Sequence, residues 1–216
     1  MPWQESCSDR GSTRQGTPQA LTLAFALPRI DTKSLAKELL RRCGGFWGLF
    51  GATKADLEDV KGVGPKVATL IRLVHDLACA CLLEGAGKRD AVKSPEAVAD
   101  YLRLKLAGRG DEVVLILLLD ARNHIIGEEV ISEGTPARAT VEPRKIVEKA
   151  LARKAVGFIL AHNHPSGSIE PSPEDDALTR KVRAAAEAVD VRMIGHVIVG
   201  CAGWWSYRTE RDISSK

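Results

Sequence analysis

Two histidines stand one residue apart in the stretch "AHNHPSGSIEPSPEDD", residues 161–176, with a run of carboxylates behind them. Residues two apart on an extended chain project to the same side, so His162 and His164 can reach one ion from the end of a strand. Imidazole nitrogens with a carboxylate oxygen are the usual ligands of catalytic zinc, where three protein ligands leave one position for water. The turn "PSGSIEP" is long enough to return Asp175, at the next helix start, to the same point. The expected set is His162, His164, Asp175 and a water around one Zn2+ per chain. A structural reading competes with it. Ser172-Pro173-Glu174-Asp175 is also a good helix start, with serine at the N-cap, proline at N1 and a carboxylate at N3. That accounts for Ser172 and Asp175 without a metal, though not for paired histidines in a chain with only five. Spacing alone leaves both readings open.

A second chemical signal lies in "LEDVKGVGPKVATLI", residues 57–71. Gly62-Val63-Gly64 separates two helical patterns, and Pro65 opens the second, as a tight junction requires. The arrangement looks like a helix-hairpin-helix. In that motif Gly62 and Gly64 let backbone N–H groups approach a phosphate, and Lys61 and Lys66 add charge. The bland alternative is an αα-corner whose glycines serve only the turn. A single copy with few basic residues predicts weak, non-specific DNA binding.

The elements around these motifs fall into two segments. Residues 21–84 read as an all-helical, helix-hairpin-helix domain, with Asp31 and Thr53 as N-caps and Gly44-Gly45 as a stop. Residues 85–96 read as a polar linker, ended by a Ser94-Pro95-Glu96 cap. From 94 to 216 strands and helices alternate: "EVVLILLLD", "HIIGEEVIS", helix "EPRKIVEKALARK", "AVGFILAH", the helix after Ser172, "VRMIGHVIVG" and a last "WWSY". The fold class is therefore mixed α/β, a small helical domain followed by a β-sheet domain with flanking helices. Residues 1–20 read as a disordered tail.

Composition sets the outer limits. The chain has 216 residues, 44% hydrophobic and 27% charged, with net charge +3. All of that excess lies in residues 1–88, which permits nucleic-acid binding without demanding it. The apolar run 113–119 is far short of the roughly 20 residues of a membrane span. The first residues carry no apolar signal-peptide core. Five cysteines form no CxxC pair and no even framework, which points to a reducing, cytoplasmic setting.

His162-x-His164-Pro165, seven residues over 165–171, then Ser172-x-x-Asp175 matches the JAMM signature of the JAB/MPN metalloprotease superfamily at each ligand position. The longer "HNHPSG…PSPED" after "AVGFILA" resembles the RadC family. "SEGTPARATVEPRKIVEKAL", "VRMIGHVIVG" and an N-terminal helix-hairpin-helix are similar to other parts of that family, and the resemblance spans about residues 21–208. Two departures stand out. Glu142-Pro143-Arg144-Lys145 replaces the usual "HPRE", and Gly195 replaces an aspartate before His196.

The resemblance implies a JAB/MPN-like fold, zinc, and hydrolysis of an amide or isopeptide bond in a peptide or protein. It also implies roles. Zinc lowers the pKa of its water to about 7, a glutamate moves the proton to the leaving amine, and Ser172 donates to the oxyanion. Glu112 is the first candidate for the glutamate, Glu133 the second, with Glu128 and Glu129 behind. The family's traditional link to DNA repair keeps a DNA-associated accessory protein or nuclease as an alternative, and a non-catalytic MPN scaffold as another. His196 reads equally as a group behind the metal ligands or a structural histidine. His75 and His124 read as solvated, and Trp204 and Trp205 as edge packing.

Overall fold

The computed structural model describes residues 32–134 and 141–207; the expected tail and the Asp31 cap lie outside them. The N-terminal part is helical: α1 (Thr32–Cys43), α2 (Phe46–Gly51), α3 (Lys54–Glu58) and α4 (Pro65–Gly87). Leu39, Leu49, Leu57, Val63 and Val67 meet in one small core. Thr53 caps α3 in a complete box, its side chain accepting from the Asp56 N–H while the Asp56 carboxylate accepts from the Thr53 N–H. Between α3 and α4, Gly62 takes φ 94°, a conformation costly for other residues, and Pro65 occupies the first turn of α4.

Helix α4 does not stop where apolar periodicity weakens. It takes in the first three residues of the expected linker, and Cys79 sits in the core of the sheet domain beside Val98, Tyr101 and Leu102. The remaining linker is anchored too, the Ala91 N–H donating to the Asn123 carbonyl at 3.0 Å. Ser94 precedes α5 (Pro95–Leu106) but makes no side-chain cap bond.

The sheet contains β1 (Glu112–Leu119), β2 (Ile125–Gly134), β3 (Gly157–Asn163), β4 (Arg192–Gly200) and β5 (Gly203–Tyr207) in the order β2-β1-β3-β4-β5. Strands β3 and β4 are parallel, joined by α7 (Pro173–Glu187); the other neighbours are antiparallel. Strands β1 and β3 are buried on both faces, which is why they read as continuous apolar runs. Leu115, Leu117, Ile159 and Val197 face α5 and the end of α4. Ile116, Leu118, Phe158 and Leu160 face α6 (Pro143–Ala152) and α7. Among the described residues no helix is long and apolar enough to cross a membrane.

Candidate metal centre

His162 ends the α7-facing row of β3: it pairs with Val114, whose side chain lies in that core. The strand closes at Asn163, and the Gly167 N–H bonds back to the His164 carbonyl at 2.9 Å in a tight turn where Gly167 takes φ 81°. The His164 N–H donates to the Val199 carbonyl at 3.2 Å, which pins the turn to β4. A Cβ on Gly200 would stand 2.3 Å from the Gly167 carbonyl oxygen, so the loop rests directly on that glycine.

Helix α7 supplies the third group. Ser172 Oγ accepts from the Asp175 N–H at 3.1 Å and donates to Asp175 Oδ2 at 2.7 Å. The Ser172 N–H reaches the same oxygen at 2.8 Å. The capping box therefore aims the carboxylate instead of competing with the site. His162 Nε2 lies 2.9 Å from His164 Nε2 and 3.1 Å from Asp175 Oδ1, while His164 Nε2 is 3.3 Å from Asp175 Oδ2. Zinc bonded to nitrogen and oxygen at about 2.0–2.1 Å sets tetrahedral ligand separations of about 3.3 Å. The donor types and their spacing fit that ion. Among the described residues, this trio is the group of His, Cys, Asp or Glu side chains positioned to hold a metal.

The site is closed behind and open in front. His162 is 1% exposed and Asp175 8%, whereas His164 is only partly covered. Burial works against charge on Asp175, yet His162 and His164 beside it hold its carboxyl well below the usual carboxylate range. His164 is raised in turn, first by its bond to Asp175 against the cost of burial, and further by the charges of Asp175 and Glu112. A cluster that gathers positive charge around a buried carboxylate is suited to exchange that charge for a cation.

The glutamates separate by face. Glu112 precedes Val114 by two residues on β1, so it shares the face of His162 and lies toward His164. Glu133 pairs with Val113, whose side chain belongs to the other core, and is bound by Arg109. Glu128 is held by Tyr101 and Lys105, and Glu129 by Lys149 and Arg153.

Asn163, between the two histidines, points the opposite way. Its Oδ1 accepts the Val113 N–H at 2.9 Å and its Nδ2 donates to the Asp111 carbonyl at 3.1 Å, clamping the backbone on both sides of Glu112. Alternation along the strand was the signal for this residue, and the histidines beside it obscured it.

His196, on β4, is completely buried, and its Nε2 is 2.8 Å from His162 Nδ1. Its other nitrogen meets Thr179 Oγ1 at 2.7 Å. Thr179 follows Asp175 by one helical turn, a spacing that places it on the site face of α7.

His75 overturns its expectation as a solvated residue. It is 4% exposed, and its Nε2 lies 2.9 Å from the Leu104 carbonyl, so it ties α4 to the end of α5. His124 stays at the β1–β2 turn, partly exposed near Asp120. Trp205 packs edge-on against Tyr207 at 4.0 Å. Lys61 and Lys66 are exposed on either side of the Gly62–Gly64 turn.

Residues 92–212 match the family described as RadC-like JAB domain. Over 187 residues the chain is 38% identical to a UPF0758 protein of Paraburkholderia xenovorans, covering 87% of this chain and 74% of that one. It is 42% identical over 188 residues to a UPF0758 protein of Burkholderia mallei, covering 87% and 68% respectively.

Proposed function

The chain belongs to the RadC-like JAB domain family, and from that premise we propose that it is a cytoplasmic, zinc-dependent hydrolase of an amide or isopeptide bond. The observation that carries this reading is the convergence of His162 Nε2, His164 Nε2 and the Asp175 carboxylate at separations of 2.9–3.3 Å, on the face that also bears Glu112. Zinc held there would supply a Lewis acid and a water acidic enough to attack near neutral pH. Glu112 takes the proton of the attacking water and passes it to the leaving nitrogen. The Ser172 hydroxyl, now on Asp175 Oδ2, turns to donate to the oxygen on which charge develops. The half-open side at His164 is the approach for a substrate.

The Gly62–Gly64 turn favours a second function beside the first, non-specific DNA contact through the start of α4 with Lys61 and Lys66 at the phosphates. The three intact ligand positions weigh against a scaffold without catalysis.

Elemental analysis of the parent, His164→Ala and Asp175→Ala tests the metal reading. About one zinc per parent chain and none in the folded variants is the expected result. No zinc in the parent after zinc is supplied would overturn it. Peptide, isopeptide and DNA substrates are then compared, with DNA retention followed against salt in the parent and in Gly62→Ala. The expected pattern is hydrolysis that ignores Gly62→Ala and DNA binding that weakens with it.

A further inference from the structure

We infer that Thr179 and His196 are positioning residues that keep a proton on His162 Nδ1, so that Nε2 is the nitrogen offered to the metal. The inference rests on the zinc reading above and names residues that reading does not use.

The order of protons follows from one hydroxyl. Thr179 Oγ1 lies 2.6 Å from the Asp175 carbonyl oxygen and 2.7 Å from His196 Nδ1. A carbonyl only accepts, so the single hydroxyl proton of Thr179 goes there. His196 Nδ1 must then carry the proton of its contact with Thr179. His196 is fully buried and its ring nitrogens meet His162 and Thr179 with no carboxylate at either, so an imidazolium there would be an uncompensated buried charge and the ring is neutral. A neutral imidazole with a proton on Nδ1 has a lone pair on Nε2. That lone pair faces His162 Nδ1 at 2.8 Å, so His162 Nδ1 carries a proton as well. His162 Nε2 is left as the nitrogen of that ring available to an ion, on the side where it faces Asp175 Oδ1.

The relay is anchored in α7 itself. Asp175 supplies a carboxylate to the site and, through its carbonyl, the acceptor that sets the direction of every hydrogen bond behind it. One helical turn thus fixes both a ligand and the tautomer of a second ligand. Partners of this kind behind a metal ligand are typically worth about 10–100-fold in metal affinity.

The test is the tautomer pattern of 15N-histidine-labelled protein, metal-free and zinc-loaded, with zinc affinity from competition against a chromophoric chelator. The parent should show Nδ1-protonated His162 and His196 in both states. Thr179→Val removes the hydroxyl with little change of volume. His196 should then move its proton to Nε2 and His162 its proton away from Nδ1, and zinc affinity should fall about 10–100-fold. Thr179→Ser should restore both. A bare His162 Nδ1 in the parent, or unchanged tautomers and affinity in Thr179→Val, would overturn the inference. A purely structural Thr179 would lower stability and leave the tautomers alone. If Thr179→Val does not fold, the parent pattern still decides. A parent with the expected tautomers that takes up no zinc would sink the metal reading, and the assigned role with it, a failure distinct from wrong tautomers.

Discussion

Two capping boxes of nearly equal geometry offer an internal control on Ser172. In α3 the Thr53 hydroxyl is 3.2 Å from the Asp56 nitrogen and 2.6 Å from its Oδ2, and the whole box is exposed. In α7 the corresponding distances are 3.1 and 2.7 Å, and the box is partly buried against the histidines. Removing an N-cap hydroxyl costs about 1 kcal/mol, and Thr53→Ala should lose about that much. Ser172→Ala loses the same cap and also a bond to a carboxylate shielded from water, where charged hydrogen bonds are worth about 1.5–3 kcal/mol. The Ser172 N–H still reaches that carboxylate at 2.8 Å and recovers part of the loss. Ser172→Ala should therefore cost about 2 kcal/mol, roughly twice Thr53→Ala. The assay is urea unfolding of metal-free protein followed by circular dichroism, read as a shift in midpoint at constant slope. Equal losses, or a loss for Ser172→Ala under about 0.5 kcal/mol, would refute the argument that this box holds Asp175 in place. Zinc binding should survive Ser172→Ala, since no ligand is removed, while hydrolysis should fall about 100-fold or more from loss of the oxyanion donor.

Gly200→Ala should push the Gly167 carbonyl away and carry His164 with it, costing about 1–3 kcal/mol and weakening zinc uptake in chelator competition. Asn163→Ala should leave zinc content intact yet depress hydrolysis, because Glu112 loses the clamp on both neighbours; unchanged turnover would remove Glu112 from its role. His75→Phe should leave the Leu104 carbonyl unpaired and cost about 1–3 kcal/mol in urea unfolding. In zinc-free protein, the raised His164 keeps a proton that the unfolded chain loses above about pH 6.5, so stability falls as pH rises through the folded value. The depressed His196 acts in the opposite sense, and stability falls as pH drops below about 6.5. Urea midpoints across pH should peak near there, and His164→Ala should flatten the alkaline limb.

The sheet domain was legible because β1 and β3 are continuous apolar runs and each helix after them begins at a proline. The convergence of His162, His164 and Asp175 was legible because strand alternation and helix capping are local rules. What escaped was set by packing between distant elements. His75 sits where hydropathy alone expects water, and only the approach of α5 supplies its acceptor. Thr179 has no pattern of its own; it matters because β4 places His196 opposite it. Which face each of the four glutamates takes needed the register of β1 against both neighbours, which no single strand contains.

Helix α4 runs unbroken from the glycine turn to the sheet, with Val67 and Ala68 in the helical core and Cys79 in the other. A joint of this kind has no hinge. Cutting the chain at residue 84 or 94 to isolate the sheet would strip Cys79 and its neighbours from its α5 side. A stable fragment must begin upstream of α4, and partial unfolding of the helical end should loosen amide protection along α5 as well. The Gly62–Gly64 turn thereby stands at one end of a continuous helix whose other end is built into the core of the sheet.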